Sequence, residues 1–300
     1  MFKFWRRSNK SELKNSGAGA QDQTSHEQVS SPKLEVKLSL QTDVGCVREV
    51  NEDCVLFVQP GDPDVVARKG LLVLVADGMG GHSAGEVASR KAVDVISRVY
   101  YEQDGDPQSA LKKAFNQASR EIFEMSQADD SLRGMGTTCT ALVLKNGSAL
   151  AAHVGDSRLY LIRNGAIYAM TEDHSQVMEM VKRGLISLEQ ARHHPDKNVI
   201  LRAIGSRAEV EVSTWDELLP AREGDRFLLC SDGLYDLVED EEIRRAVEDG
   251  EPAAACEKLI ALAKERGGHD NISVGVVSLT SETETQSEPV RETRELEAAI

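Results

Sequence analysis

The 300-residue sequence lacks the signals of several protein classes. It has no run of about 18 consecutive apolar residues, which a membrane-spanning helix requires. No apolar stretch follows the basic residues of its start, MFKFWRRSNK, as a secretory signal would require. The GxxxxGKS/T and GxGxxG patterns of nucleotide-binding loops are missing as well. We therefore expect a cytoplasmic protein without a transmembrane segment.

Positive charge and cysteine pairs are also scarce. The chain has 35 Lys and Arg against 50 Asp and Glu, a formal net charge of −15, which opposes broad binding to nucleic acid or to anionic membranes. Its five cysteines are odd in number, have no CxxC spacing and mostly lie in apolar runs. We interpret them as reduced thiols of an intracellular protein.

The two ends of the chain differ in composition from its middle. Residues 1–33 are polar and have no hydrophobic period, which predicts a disordered N-terminal arm, although Phe2, Phe4 and Trp5 beside basic residues are also compatible with a weak anchor. Residues 281–300 form a polar, mainly acidic tail. We expect residues 34–280 to be the functional domain of a monomer.

Strand and helix patterns alternate in blocks within that domain. Apolar faces at helical spacing predict helices over 84–102, 107–126 and 252–266, and the Asn-Gly pairs of KNG and RNG predict antiparallel hairpins. Strand blocks broken by pairs of helices favour an α+β fold over a doubly wound parallel sheet. The predicted strands are 34–43, 53–59, GLLVLVAD, TTCTALVLKN, ALAAHVGDS, RLYLIRNG, DRFLLCSD and NISVGVVSL.

Acidic residues recur where these strands begin or end. Several carboxylates brought together repel one another, so the group requires a counter-charge, and Arg48 and Arg158 are the few basic residues nearby in sequence. An all-oxygen site favours Mg²⁺ or Mn²⁺ over Zn²⁺, and Gly78 would let its carbonyl approach such an ion. The acidic residues are Asp77, Asp156 and Asp232 after strands, and Glu52, Asp53 and Asp270 before them.

The Asp-Gly pairs and the histidines also have interpretations that involve no catalytic role. An Asp-Gly pair after a strand is commonly only a turn. His82, on the glycine-rich GMGGH loop, is either a general acid or an exposed loop residue. The mid-strand His153 is interpreted as a core histidine, and His193 and His194 as surface residues.

The order and the residue sequences of the acidic motifs resemble those of one protein family. TDVGCVREVNEDCVL, LLVLVADGMGGHSAGE, RGMGTTCTALVL, AHVGDSRLYLIRNGAIYAMTEDHS, FLLCSDGLYDLV and GGHDNISVGVV are similar, in this order, to motifs of the metal-dependent type 2C serine/threonine protein phosphatases in their bacterial form. The resemblance runs from about residue 34 to 280. It implies a four-layer α-β-β-α sandwich of two antiparallel sheets, with two metal ions at one end and a flap over residues 171–206.

The resemblance also implies roles for individual residues. Arg48 would bind the phosphate, and Asp53 and Asn271 would orient ligands. Animal members have their general-acid histidine directly after the aspartate-glycine pair, whereas Met79 stands there in this chain, which leaves His82 as the nearest histidine. The implied metal ligands are Glu52, Asp77, the Gly78 carbonyl, Asp232 and Asp270 for two core Mn²⁺ or Mg²⁺ ions, and Asp156 with Asp232 for a weaker third ion.

The function implied by the resemblance is hydrolysis of phosphoserine and phosphothreonine on proteins by a water shared between the two metals. Its partners would be phosphorylated proteins and a cognate serine/threonine kinase of bacterial signalling, with no nucleic acid. Two alternatives remain: a catalytically inactive relative that binds phosphoproteins, and another two-metal hydrolase such as a nuclease. The presence of every implied ligand opposes the first, and the acidic net charge opposes the second.

Overall fold

A computed structural model describes residues 34–80 and 84–281. The predictions for the N-terminal arm, for His82 and for the tail beyond residue 281 lie outside the described residues. None of the helices in the described ranges is long and apolar enough to cross a membrane.

Strands and helices alternate in blocks along the described chain. The strands are β1 (Leu34–Asp43), β2 (Asp53–Val58), β3 (Leu71–Met79), β4 (Gly136–Thr137), β5 (Cys139–Lys145), β6 (Ser148–Val154), β7 (Arg158–Arg163), β8 (Ala166–Ala169), β9 (Ser213–Thr214), β10 (Leu219–Pro220), β11 (Arg226–Cys230) and β12 (Ile272–Ser281). The helices are α1 (Pro63–Lys69), α2 (Ala84–Glu102), α3 (Pro107–Ala128), α4 (Gln176–Lys182), α5 (Leu188–Arg192), α6 (Asp232–Tyr235), α7 (Asp240–Glu248) and α8 (Pro252–Glu265).

The strands form two antiparallel sheets. One has the order β1-β12-β11-β7-β8, and the other has the order β10-β6-β5-β3-β2, with β4 paired to β3 and β9 paired to β6. The predicted hairpins are confirmed, because Asn146-Gly147 joins β5 to β6 and Asn164-Gly165 joins β7 to β8. All four turn residues have positive φ, which is the geometry that Asn-Gly pairs favour in two-residue hairpin loops.

Two hydrophobic cores hold the layers together. In β11, Phe227 and Leu229 face the core shared with the other sheet and with α2 and α3, whereas Leu228 and Cys230 face a second core under α7 and α8. This alternation follows from the period of two along a strand. The layers are therefore helices, sheet, sheet, helices, and the predicted α+β sandwich with four layers is confirmed.

Helix boundaries follow local capping signals. Asp106 accepts the Ser109 amide at 2.9 Å before α3, and Pro107 occupies the first position of that helix. Within residues 171–206, the segment that the resemblance identifies as a flap, Ser187 and Gln190 form a capping box at the start of α5. The predicted helix over 84–102 is confirmed to the residue, while those over 107–126 and 252–266 end at Ala128 and Glu265.

Candidate metal centre

Strand pairing gathers carboxylates at one end of the two sheets. Asp53 begins β2 and lies opposite Asp77 near the end of β3, so their side chains are direct cross-strand neighbours. Asp77 also lies within electrostatic range of Asp156, Asp232 and Asp270. The structure therefore brings together residues that are up to 217 positions apart in sequence, from Asp53 to Asp270. We call Glu52, Asp53, Asp77, Asp156, Asp232 and Asp270 the acidic cluster.

The carboxyl groups of this cluster raise one another's pKa. Loss of hydration, followed by the charges of neighbouring aspartates, raises the pKa of Asp77 and Asp232 well above the ordinary value. Loss of hydration is also the first cause for Asp53, whose pKa rises to about 6 despite hydrogen bonds from serines, and for Asp156, whose pKa rises to about 7 despite Arg158. A bound cation would remove this penalty, because it favours the ionised form.

Several carboxylate oxygens of the cluster have no hydrogen-bond partner among the described residues. They are Glu52 Oε1, Asp53 Oδ1 and Asp232 Oδ1, and all three are shielded from solvent. Nearly all buried polar atoms in proteins are paired, so three unpaired oxygens in one place indicate a missing positive partner. In the described ranges, no three His, Cys, Asp or Glu side chains already surround one point closely enough to hold an ion.

Glycines allow β2, β3 and α2 to approach closely at this point. A Cβ on Gly78 would lie 2.1 Å from the Gly85 carbonyl oxygen, and a Cβ on Gly85 would lie 2.4 Å from Glu52 Oε1. Loss of hydration raises the pKa of Glu52, while Arg48 and the Gly85 amide in the first turn of α2 lower it. Gly85 was missed by the sequence interpretation, although a glycine opening a long amphipathic helix is a signal for close approach.

Asn271 fixes the chain that leads into β2. Its Oδ1 accepts the Glu52 amide at 2.8 Å, and its Nδ2 donates to the carbonyls of Val44 and Val50, each at 3.0 Å. All three of these Asn271 hydrogen bonds therefore hold residues 44–52, the segment that carries Arg48 and Glu52.

Hydroxyl groups hold the two aspartates that pair across β2 and β3. Ser231 Oγ donates to Asp53 Oδ2 at 2.7 Å and accepts the Ser273 amide at 3.0 Å. The Asp77 amide donates to Thr138 Oγ1 at 3.0 Å, and the Asp77 carbonyl accepts from Thr137 Oγ1 at 2.8 Å. Ser231, Thr137 and Thr138 were not predicted from the sequence, because an isolated hydroxyl residue carries no pattern.

Arg48 lies at the edge of the cluster. Its Nη2 is 2.8 Å from Asp270 Oδ2, and its Nη1 is 4.0 Å from Glu52 Oε2. Burial lowers the pKa of Arg48, but Asp270 and Glu52 outweigh that effect and raise it. The guanidinium, which is half exposed, therefore stays charged beside the carboxylates.

Asp156 lies in the turn between β6 and β7. The other basic candidate, Arg158, pairs with Asp173 at 2.7 Å and stacks on the Tyr235 ring at 3.6 Å. Its charge lowers the pKa of Asp156, but burial and Asp173 raise it by more. The sequence interpretation missed Asp173, which lies inside the flap and at no strand end.

The remaining histidines fall outside the cluster. His153 is buried in β6 with Nδ1 2.9 Å from Thr140 Oγ1, and burial lowers its pKa to about 4, as suits the predicted core histidine. His193 is exposed as predicted, whereas His194 is partly buried and its Nδ1 accepts the Asp196 amide at 3.1 Å.

Known proteins are similar to this chain over most of its length. The Protein phosphatase 2C family matches residues 50–264. Serine/threonine phosphatase stp of Listeria monocytogenes is 38% identical over 242 residues, which cover 79% of this chain and 93% of that protein. Serine/threonine protein phosphatase PstP of Mycobacterium tuberculosis is 37% identical over 258 residues, which cover 86% of this chain and 48% of PstP.

Solved structures agree with the sequence matches. The Mycobacterium tuberculosis PstP/Ppp crystal structure has a TM-score of 0.72 at 37% identity and covers 82% of this chain and 99% of its own. The catalytic domain of PstP in complex with two manganese ions has a TM-score of 0.70 at 35% identity and covers 83% and 100%. The chain therefore belongs to the protein phosphatase 2C family in its bacterial form, and it is a protein-serine/threonine phosphatase.

Proposed function

We propose that the acidic cluster binds two core Mn²⁺ or Mg²⁺ ions and a weaker third ion, and that the protein uses them to hydrolyse phosphoserine and phosphothreonine on proteins. The observation that carries this proposal is a set of buried carboxyl groups, three of whose oxygens have no hydrogen-bond partner among the described residues, with pKa values raised by loss of hydration and by one another's charges. Oxygen-only ligands suit these hard cations. The proposed core ligands are Glu52, Asp77, the Gly78 carbonyl, Asp232 and Asp270, and Asp156 with Asp232 would hold the third ion.

When bound, the cations would lower the pKa of a water so that it could serve as the nucleophile, and they would offset charge on the phosphoryl oxygens. Arg48 contributes a planar guanidinium fork beside the cluster, which suits a phosphate dianion. Asp53 and Asn271 keep the ligand-bearing segments in place through the hydrogen bonds described above. His82 is the candidate for protonating the leaving serine or threonine oxygen.

The proposed setting is the bacterial cytoplasm, opposite a serine/threonine kinase. The relatives named above are bacterial serine/threonine phosphatases, which supports phosphorylated proteins as substrates. All five cysteines are free, which suits a reducing compartment. The net charge of −15 disfavours a nucleic-acid substrate.

Hydrolysis by the purified full-length chain tests this function. With Mn²⁺ it should cleave p-nitrophenyl phosphate and a phosphothreonine peptide, EDTA should stop both reactions, and excess Mn²⁺ should restore them. Asp77→Asn should abolish turnover, whereas Asp104→Asn, which removes an exposed carboxylate, should not. Activity that survives thorough chelation would contradict the proposal.

The same assay separates the two alternatives. A protein that binds the phosphopeptide without turning it over would be a phosphoprotein-binding regulator. Cleavage of single-stranded DNA in preference to the phosphopeptide would indicate a nuclease.

A further inference from the structure

Two consecutive residues of the flap hold the turn that carries Asp156. The turn comprises residues 155–157 between β6 and β7, and Arg158, the first residue of β7, follows it directly. Asp173 and His174, at the start of the flap, contact Arg158 and Gly155, at its opposite ends. We call Asp173 and His174 the clamp.

His174 is tied to Gly155 by two hydrogen bonds of opposite direction. The His174 amide donates to the Gly155 carbonyl at 2.7 Å, and the Gly155 amide donates to His174 Nδ1 at 3.1 Å. Gly155 has a φ of +108°, and a Cβ there would lie 2.5 Å from Thr138, so the backbone at this end of the turn is closely confined. The imidazole therefore supplies the acceptor for a buried amide of the turn.

Asp173 holds the other end of the turn through Arg158. Arg158 Nε lies 3.0 Å from Asp173 Oδ1, and Arg158 Nη2 lies 2.7 Å from Oδ2, which makes a two-point pair. The guanidinium also covers the Tyr235 ring at 3.6 Å. Arg158 is thus fixed on two sides, and Asp156 lies between the two held ends.

The clamp is also joined to residues 199–201 near the end of the flap, which we call the flap base. The Leu201 amide donates to the His174 carbonyl at 2.7 Å, and the Gln176 amide donates to the Val199 carbonyl at 2.9 Å. His174 Nε2 lies 2.9 Å from Ser213 Oγ. Because the Gly155 amide donates to Nδ1, we assign the proton of the neutral ring to Nε2, which donates to Ser213 Oγ and also lies 3.4 Å from Arg202 Nη1.

The turn continues to the core of the acidic cluster. Ser157 Oγ is 2.7 Å from Thr138 Oγ1, and Thr138 Oγ1 accepts the Asp77 amide at 3.0 Å. A chain of hydrogen bonds thus connects the flap base, the clamp, the turn and Asp77. Burial and the adjacent His153 ring lower the pKa of His174 to about 3, so the imidazole stays neutral at physiological pH.

We propose that the clamp is a positioning element of the phosphatase: it holds Asp156 in place and couples that position to the flap base. Loosening the clamp would free Asp156 and weaken the third cation site, while the proposed core ligands remain in place: Glu52, Asp77, the Gly78 carbonyl, Asp232 and Asp270. The part that concerns metal rests on the proposed function, whereas the coupling of the turn to the flap base does not.

Two substitutions of His174 separate its contacts. In His174→Asn the amide oxygen occupies the place of Nδ1, so it can accept the Gly155 amide, but the contact with Ser213 is lost. In His174→Gln the longer side chain reaches towards Ser213 and leaves the Gly155 amide without its acceptor. His193→Gln is the matched control, because His193 is an exposed histidine of the same flap. Thermal unfolding identifies any variant that fails to fold.

Hydrogen exchange of the metal-free proteins is the first measurement. His174→Gln should speed exchange of the Gly155 amide about fivefold or more, as expected for one lost hydrogen bond of about 1 kcal/mol. His174→Asn and His193→Gln should leave that amide within about twofold of wild type. Equal exchange rates of the Gly155 amide in His174→Asn and His174→Gln would overturn the proposal that the clamp holds this turn.

Metal binding is the second measurement. In calorimetric titrations with Mn²⁺, His174→Gln should weaken only the weakest class of sites, and its turnover of a phosphopeptide should recover at high Mn²⁺. Turnover that stays equally reduced at all Mn²⁺ concentrations in a folded variant would overturn the link to Asp156. If wild type cleaves no phosphopeptide, the proposed function fails, and the exchange comparison still decides the clamp.

Discussion

Buried aspartates of two kinds occur in this protein, and their partners distinguish them. Asp225 is buried, and Arg163 donates hydrogen bonds to both of its carboxylate oxygens, from Nε to Oδ1 at 2.7 Å and from Nη2 to Oδ2 at 2.6 Å. Asp225 Oδ2 also accepts the Arg222 amide. Asp232 has a shielded oxygen without any partner among the described residues and a pKa raised by loss of hydration and by Asp156. A buried carboxylate that is fully paired, such as Asp225, has a structural role. A buried carboxylate with an unpaired oxygen, such as Asp232, indicates a place for a cation.

At this scale, Asp156→Ala tests the third metal site. Two protein ligands make a loose site for Mn²⁺ or Mg²⁺, which keep several waters when few carboxylates hold them. If that ion assists proton transfer to the leaving group, turnover of a phosphothreonine peptide should fall roughly 10²-fold or more. Calorimetry should show loss of the weakest Mn²⁺ site, with the core pair and folding intact.

Asp130→Ala is the control for this variant, since the Asp130 side chain is 98% exposed. It should match wild type in metal stoichiometry and turnover. Equal stoichiometry and near-normal turnover in Asp156→Ala would leave the third site without support.

Among the elements, β3 is closely packed near the candidate site. Its last residues run between Glu52 on one side and the first turn of α2 on the other, and the Gly78 amide donates to the Glu52 carbonyl at 3.1 Å. A strand with a larger residue at position 78 would push α2 away from β2. The glycine therefore sets how closely Asp77 approaches Glu52.

Gly78→Ala should consequently destabilise the protein and lower turnover together. A Cβ there would lie 2.1 Å from the Gly85 carbonyl oxygen and 2.6 Å from the Glu52 carbonyl oxygen, both of them backbone atoms. We expect a loss of about 1–3 kcal/mol in the free energy of unfolding, as for other overpacked sites. Urea unfolding measures this loss, and Gly61→Ala, where no atom lies within 4 Å of the added Cβ, is the control. Equal stability of the two variants would contradict the packing argument.

For the whole molecule, the acidic cluster makes stability depend on pH in the absence of metal. A carboxyl whose pKa is raised on folding stabilises the fold while protonated, and that contribution is lost as pH rises through the folded pKa. The relevant groups are Asp53 and Asp156, with pKa values of about 6 and about 7, and Asp77 and Asp232, whose pKa values burial and neighbouring aspartates raise well above the ordinary value.

Two buried histidines act in the opposite direction. Burial lowers the pKa of His153 to about 4 and of His174 to about 3, so their contribution is lost as pH falls below the unfolded value of 6.5.

The melting temperature in EDTA should therefore fall as pH rises through about 6 and about 7, the folded pKa values of Asp53 and Asp156, towards about pH 8.5. Loss of the histidine contribution below pH 6.5 opposes this trend on the acid side. Adding Mn²⁺ at about pH 8 should raise it, because the ion binds the folded state and replaces protons as counter-charge. Calorimetric scans across this pH range measure both effects. A melting temperature that rises towards pH 8.5 in EDTA, or that ignores Mn²⁺, would contradict the assignment.

The ends of the chain should matter little to hydrolysis. The proposed metal and phosphate ligands all lie between residues 48 and 270, and neither end carries a matched motif. Deleting residues 1–30 and 284–300 should leave kcat and KM for a phosphothreonine peptide nearly unchanged. Loss of turnover in a folded truncation would show that an end contributes to the site.

Local patterns determined much of this protein. The hairpins at Asn146-Gly147 and Asn164-Gly165, the start of α2 and the capping box at Ser187 were all readable from neighbouring residues. The carboxylates of the acidic cluster were readable too, because each stands where an apolar strand begins or ends. These signals are encoded within a few residues, since capping, turn geometry and strand alternation are short-range effects.

Only the tertiary structure decided which of these residues meet. The Glu52 amide and Asn271 Oδ1 are 219 positions apart, and Ser231 and Asp53 are 178 apart. Gly85 beside Glu52, and Asp173 with His174 around the turn of Asp156, likewise follow from how the sheets and the flap pack. A hydrogen bond between distant segments leaves no periodic pattern in either of them. The proposed ligands could therefore be identified from the sequence, whereas the residues that position them are known only from the tertiary structure.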